Sequence, residues 1–162
     1  MASARKGQVR THIDAPPEDV WALLADLKRM GEWSPECYRV QWLDGASSPA
    51  APGARFKGQN RFGWMRWSMT CQVKTAEPGR ELAFSTIQKG RELVRWRYHF
   101  QPADGGTDLT ESFEVIWLPF TARFAEDVLM RDRDRRREEA MRATLSRIKG
   151  LAEGNRTAAD RP

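Results

Sequence analysis

The sequence predicts an α+β fold in which one curved antiparallel sheet wraps a long C-terminal helix. Short segments that alternate apolar and polar residues follow one another between residues 38 and 117, as half-buried strands do. Turn signals such as Glu77-Pro78-Gly79 separate these segments, which is typical of antiparallel hairpins. Residues 121–153 contain no proline, and their first glycine is Gly150, so they are predicted to form one long helix.

Each element follows from a local pattern. Residues 8–15 alternate as a first strand, and Pro16-Pro17-Glu18-Asp19 then starts a helix with prolines and acids where a first turn tolerates them. Gly31 ends this helical stretch, which we expect to comprise two short helices. The remaining strands are predicted at 38–43, 55–62, 66–76, 81–87, 93–101 and 107–117, which makes about seven in all.

Length and composition indicate a single globular domain. With 162 residues, 40% hydrophobic and 30% charged, the chain can bury one core and lacks the composition of a disordered protein. We expect residues 1–153 to form the domain and 154–162 to be a disordered polar tail. The net charge is +5, yet residues 121–153 contain nine basic and seven acidic residues. Because no basic stripe or binding motif appears, we expect no nucleic-acid partner.

Cysteine spacing and hydropathy predict the cellular compartment of the protein and whether it binds a metal or spans a membrane. Residues 1–7 lack an apolar signal segment, and no stretch approaches the ~20 apolar residues of a membrane span. Cys37 and Cys71, with His12 and His99, show no zinc-finger spacing. We therefore expect a cytoplasmic protein with two buried thiols, no metal, no cofactor and no integral membrane association. A monomer and a homodimer both remain open.

Strand alternation predicts which side chains face the interior. In 93–101, Trp96 and Tyr98 share a face with other apolar residues, and arginines occupy the opposite face. The aromatic face must point inward. The same reasoning applied to the other strands adds these inner-face residues: Phe56, Trp67, Met69, Phe84 and Phe113. An interior this rich in aromatic rings is suited to a mostly apolar ligand.

Two polar residues, Asn60 and Glu111, fall on the same predicted inner face. A carboxylate on an apolar face costs several kcal/mol unless it is paired or protonated. One interpretation is that both residues hydrogen-bond a polar group of the ligand, or that Glu111 is a general acid/base with a raised pKa. The alternative is that Glu111 lies near a strand end and reaches water or an arginine.

The C-terminal helix and the tryptophans supply candidates for the mouth of the site. An i+3/i+4 stripe runs through Met130, Asp134, Arg137, Met141, Leu145 and Ile148. Asp134 and Arg137 have two interpretations. They form a polar gate or contact the head group of the ligand, or they belong to a run of solvated charged residues. Four tryptophans at element ends either rim the opening or pack the short helices on the sheet: Trp33, Trp42, Trp64 and Trp117.

Several motifs, in this order, make the chain similar to the START-like (SRPBCC) superfamily and its polyketide cyclase/dehydrase group. They are IDAPPEDVW at 13–21, EWSPE at 32–36, PGARF at 52–56, EPGRELAF at 77–84, GTDLT at 106–110 and TLSRIK at 144–149. The resemblance implies the helix-grip fold, a seven-stranded sheet curled around a long helix with a cavity between them. It also implies one of several tasks, since members bind lipids or quinones, carry plant hormones, or cyclise or dehydrate polyketides.

Three hypotheses follow for function. The first is a carrier or sensor that binds a lipid, quinone or polyketide-like molecule in the internal cavity. The second is a polyketide cyclase or dehydratase in which Glu111, with Asn60, moves protons on a positioned substrate. The third is an interaction module whose basic C-terminal helix binds a partner.

Overall fold

The sheet contains seven antiparallel strands in the order β1-β7-β6-β5-β4-β3-β2. Residues 5–129 and 133–159 are described in the computed structural model, and side chains are described for residues 5–124 and 135–154. The strands are β1 (Lys6–Ile13), β2 (Cys37–Trp42), β3 (Arg55–Phe62), β4 (Met65–Glu77), β5 (Glu81–Gln88), β6 (Arg91–Ala103) and β7 (Gly106–Val115). The predicted architecture is confirmed.

Two short helices follow β1, as predicted: α1 (Pro17–Ala25) and a 3-10 helix (Leu27–Glu32). Two further helices, α2 (Phe120–Leu129) and α3 (Arg133–Ala159), lie either side of residues 130–132, which are outside the described part of the chain. The expected disordered tail is wrong for residues 154–159, because α3 continues to Ala159. One glycine costs a helix only about 1 kcal/mol, and the following residues include two alanines, which favour helix.

Turns and bulges shape the sheet. The turns Lys89-Gly90 and Asp104-Gly105 have positive φ at both positions, 50° and 72° in the first and 46° and 72° in the second, as type I′ hairpin turns require. The pairing register shifts between β2 and β3, between β4 and β5, and between β5 and β6. Such bulges bend a strand and increase its twist, so they curve the sheet.

The helices close one end of the curved sheet. α1 packs on β5, β6 and β7, and the Trp21 Nε1 of α1 donates a hydrogen bond to the Glu81 carbonyl at 3.1 Å. The C-terminal half of α3 packs mainly along β1, where Lys149 donates to the His12 carbonyl at 2.6 Å. We call this the closed end. The deepest core residues lie near it, including Ile13, Leu82, Leu109 and Ile148.

The opposite end of the sheet, which we call the open end, is formed by the turns 63–64 and 89–90 and by the C-terminus of β7. α3 begins near it, since the Arg136 guanidinium lies 5.6 Å from the Phe62 ring. Among the described residues, no helix is long and apolar enough to cross a membrane.

Candidate functional site

The pairing register places the predicted inner-face residues on one concave surface. Directly opposed residues in neighbouring strands point to the same side of a sheet. Glu111 of β7 opposes Tyr98 of β6, and Phe113 opposes Trp96. Ring contacts continue the aromatic surface across the sheet, with Trp96 and Phe113 centroids 5.8 Å apart and Phe56 and Phe84 centroids 5.4 Å apart. The predicted facing of these strands is therefore confirmed.

Burial along this surface decreases toward the open end, and we call the less buried part of the concave face the cleft. Phe56, Phe84 and Phe113 are buried, with at most 7% of each side chain exposed. In contrast, four inner-face side chains nearer the open end are only half-buried: Asn60, Trp67, Met69 and Trp96. Residues that face a helix would be fully buried if that helix covered them. The half-buried group therefore marks the part of the concave face that α3 leaves accessible.

A buried pair of polar groups lies at the inner limit of this cleft. Glu111 is 4% exposed, and its Oε1 accepts a hydrogen bond from the Tyr98 hydroxyl at 3.0 Å. Its second oxygen, Oε2, is buried and has no hydrogen-bond partner among the described residues. An unsatisfied buried polar atom costs about 1–3 kcal/mol, so its presence calls for an explanation. The structure excludes the alternative that Glu111 reaches water at a strand end.

Burial also sets the protonation state of the pair. Removal from water raises the pKa of Glu111 from 4.5 to about 8, against the opposing effect of the Tyr98 hydrogen bond. Burial, with the neighbouring Glu111, raises the pKa of Tyr98 well above its ordinary value. Both groups are therefore predominantly neutral at pH 7. A protonated Glu111 has one hydroxyl to donate in addition to the oxygen that accepts from Tyr98.

Asn60 does not join this pair. It lies on β3, and β4, β5 and β6 separate that strand from β7. Its Nδ2 donates to the Gly58 carbonyl at a long 3.5 Å. The prediction that Asn60 and Glu111 act on one polar group of a ligand stays a prediction, because the strand order gives their separation along the sheet and not the distance across its concave face.

The helix residues of the predicted site fall into different places. Met141 is buried at 1% exposure, and with Leu145 and Ile148 it forms the apolar part of the stripe. Arg137 is half-buried, and its guanidinium lies 5.3 Å from the Phe113 ring centroid. This cation–π contact places Arg137 beside the aromatic surface. Met130, and the side chain of Asp134, lie outside the described part of the structure.

The four tryptophans at element ends do not share one role. Trp33 is 1% exposed, so it packs in the core, and its predicted place at a wet rim is wrong. It belongs to the hydrophobic core cluster together with Leu27 and Met30 of the 3-10 helix. Trp42 is half-buried and donates to Ser48 Oγ at 3.2 Å. Trp64 and Trp117 lie at the open end with exposures of 90% and 36%.

The two cysteines are free and buried, as predicted. Burial raises the pKa of Cys37 to about 11 and that of Cys71 to about 12. Reactive cysteines need an accessible thiolate, which neither side chain supplies at neutral pH. Both thiols are therefore packing groups of the concave face rather than nucleophiles.

Comparison with protein families matches residues 4–153 to the family described as polyketide cyclase / dehydrase and lipid transport. The chain belongs to this family. The predicted resemblance to the START-like polyketide cyclase/dehydrase group is thereby confirmed. A search among curated proteins finds no sequence match.

Solved structures of related proteins share the fold of this polyketide cyclase/dehydrase family member. A polyketide-cyclase-like protein from Corynebacterium glutamicum, solved in solution, is 33% identical, with a TM-score of 0.53, over 94% of this chain and 88% of its own. The ZhuI aromatase/cyclase from a Streptomyces species is 18% identical, with a TM-score of 0.75, over 98% and 99%. The di-domain aromatase/cyclase StfQ of steffimycin biosynthesis is 15% identical, with a TM-score of 0.73, over 95% and 52%.

The raised pKa of Glu111 predicts a specific dependence of stability on pH. The folded protein keeps this proton up to about pH 8, whereas the ordinary value for the group is 4.5. Folding therefore binds a proton within this window, and the free energy of unfolding falls by about 1.4 kcal/mol per pH unit on account of Glu111. Glu111→Gln abolishes this contribution.

Urea unfolding of both proteins between pH 5 and pH 8 measures the effect. The difference in unfolding free energy should move steadily in favour of the Gln variant as pH rises. All other titrating groups, His12 included, are common to both proteins and cancel in the difference. A difference that stays constant with pH would show that Glu111 is ionised in the folded protein.

Proposed function

We propose that this protein binds a mostly apolar molecule with at least one hydrogen-bond acceptor, such as a carbonyl oxygen, in the cleft of the concave face. The observation that carries the proposal is the buried Oε2 of Glu111, which has no hydrogen-bond partner among the described residues. The acceptor of the ligand would take the hydrogen bond that no described residue accepts from Glu111. The ligand class is a lipid, quinone or polyketide-like molecule, and the role is that of a carrier or sensor.

The polar end of the proposed ligand is set by the Glu111–Tyr98 pair. In the neutral acid, Oε1 accepts from Tyr98 and the proton resides on Oε2. That hydroxyl is a hydrogen-bond donor in an environment of low dielectric. In such an environment a donor without an acceptor is costly, and a hydrogen bond that does form is strong. A ligand carbonyl oxygen would accept the hydrogen bond from this hydroxyl. A ligand carboxylate would accept it as well and would also favour the protonated form of Glu111. A purely hydrocarbon ligand would leave the group unpartnered.

The apolar body of the ligand would contact the aromatic surface between Glu111 and the open end. Trp96 and Phe113 lie beside each other there, and the half-buried Trp67 and Met69 extend the surface outward. Aromatic rings bury large areas and accept flat partners by offset stacking. Arg137, beside Phe113, would face a polar or anionic group nearer the mouth. The proposed ligand would therefore make one polar contact with Glu111 and a second with Arg137, and its apolar body would lie between them.

Catalysis is a second candidate function, and one observation favours it. A carboxyl group with a pKa near neutral can both donate and accept a proton at physiological pH, as general acid/base catalysis requires. In the dehydration of a cyclised polyketide, Glu111 would donate its proton to the departing hydroxyl group as the C–O bond breaks and water leaves. The Glu111 carboxylate would then accept the proton of the neighbouring carbon as the C=C bond forms, which restores the neutral acid. The name of the family includes cyclases and dehydrases, which is compatible with this reaction. The site would then act by positioning a reactive chain.

Binding of the proposed ligand depends on the donor at position 111. Native mass spectrometry of the gently purified protein identifies co-purified molecules, and tryptophan quenching tests a panel of fatty acids, quinones and aromatic polyketides. For a carbonyl ligand, Glu111→Leu should weaken binding about tenfold, since it removes the donor. Glu111→Gln, which keeps an N–H donor, should retain most of the affinity.

The pH profile provides the control for this experiment. Binding to the wild-type protein should weaken above about pH 8, where Glu111 loses its proton. Binding to Glu111→Gln should not change over the same range. If no molecule co-purifies and no member of the panel binds, the proposed function is wrong.

The two candidate functions make opposite predictions for turnover. With a polyketide that the wild-type protein converts, Glu111→Gln should bind the substrate but reduce turnover by about 100-fold or more, as expected for loss of a general acid. Product formation followed by chromatography measures this. Unchanged turnover in the variant removes the catalytic role and leaves binding alone.

A further inference from the structure

The open end of the sheet presents an exposed apolar surface. Among the described side chains, seven large hydrophobic residues are exposed, and all of them lie at or next to this end: Tyr38, Phe62, Trp64, Ile116, Trp117, Phe120 and Phe124. The most exposed are Trp64 at 90%, in the turn between β3 and β4, and Phe120 at 82%, at the start of α2. Exposed hydrophobic residues confined to one region of a protein mark an interaction site.

Basic side chains are interleaved with these rings. The Arg61 guanidinium lies 5.3 Å from the Tyr38 ring centroid, and that of Arg91 lies 4.8 Å from the Trp117 ring. Arg136 of α3 lies in the same way over Phe62, at 5.6 Å. Three separate parts of the chain thus meet at this surface, each bringing a cation against an exposed ring.

Charge is distributed unequally between the two ends of the sheet. Segments 61–66, 88–91 and 116–124 together contain five basic residues and no acidic residue: Arg61, Arg66, Lys89, Arg91 and Arg123. Four exposed acidic residues lie in or beside the turns of the closed end, where Arg55, which pairs with Asp44, and Arg80 are exposed basic residues: Asp14, Asp44, Glu77 and Asp104. Two exposed acidic residues, Glu36 beside Tyr38 and Glu114 near the end of β7, also lie at the open end. The five basic residues outnumber them, so the apolar surface carries a net positive charge.

We propose that the open end is a docking surface for anionic lipid membranes. Tryptophan and phenylalanine at protruding positions enter the interface between headgroups and acyl chains. Arginines around them attract the negative headgroups by about 1 kcal/mol each. Because the rings project from a hairpin turn and a helix start, not from a concave pocket, they suit a fluid surface better than a shaped protein partner.

This surface adjoins the cleft. The half-buried inner-face residues Trp67 and Met69 belong to β4, which begins directly after the turn that carries Trp64. A protein docked by this end would hold the cleft toward the bilayer. An apolar ligand could then pass between bilayer and cleft without crossing water. Docking itself requires no ligand, so it can be tested independently of the proposed function.

Co-sedimentation of the full-length protein with vesicles tests the proposal. The probes are vesicles of equimolar phosphatidylcholine and phosphatidylglycerol, compared with phosphatidylcholine alone. We expect binding to the anionic vesicles at low salt, weakened by added salt because exposed charges are screened. Arg91→Glu and the double variant Trp64→Ser/Phe120→Ser should each weaken this binding by about tenfold or more.

Two charge reversals elsewhere serve as matched controls. Arg80→Glu alters an exposed side chain at the closed end, and Arg147→Glu alters an exposed position on the C-terminal half of α3. Both should retain at least half of the wild-type binding. Trp96→Ala, within the cleft, should also retain vesicle binding. Loss of binding in Arg147→Glu but not in Arg91→Glu would assign the surface to the helix and overturn the proposal. Absence of binding to anionic vesicles at low salt, as expected for a surface that docks a protein, would also overturn it.

Discussion

The seven-stranded sheet is wider than the single long helix that it curls around, and the rest of the structure depends on this difference in width. The helix α3 packs along β1 and buries Met141, Leu145 and Ile148, while the far strands bend over without a helix to cover all of their inner faces. Close packing at the closed end and half-burial toward the open end are two results of the same constraint. A fold of this kind keeps an accessible apolar surface without losing its core.

Glu111 is the chemical feature that this architecture makes possible. A sheet supplies hydrogen bonds for its own backbone, so one polar side chain on its inner face can be held in place while its environment stays apolar. Tyr98 satisfies one oxygen and water is excluded from the other. The result is a neutral carboxylic acid at physiological pH, a group that can hold a carbonyl or move a proton. Binding and catalysis are thus two uses of one protonation state.

Alternation predicted the fold and the facing of the strands because side-chain direction in a strand depends only on local geometry. The Glu111–Tyr98 contact was also accessible from sequence, since the two-residue turn Asp104-Gly105 fixes the register of β6 on β7. The bulge between Ser85 and Ile87 could not be predicted from the sequence, because a register shift has no reliable sequence signal. At the open end, exposure was anticipated only for Trp64 and Trp117, as one of two interpretations, and was missed for the other hydrophobic residues. The same hydrophobic residue types occur in turns and at helix starts whether their side chains are packed or exposed. Only the tertiary structure shows which of the two holds.

Titration of the Glu111 side-chain carboxyl carbon by 13C NMR tests the central claim most directly. The spectrum of the wild-type protein is assigned by comparison with Glu111→Gln, which lacks this resonance. The account predicts a midpoint near pH 8, in agreement with the buried environment, and a higher midpoint once a carbonyl ligand accepts the Glu111 proton. A midpoint close to the ordinary value of 4.5 would contradict it, because the group would then be an ionised and hydrated carboxylate.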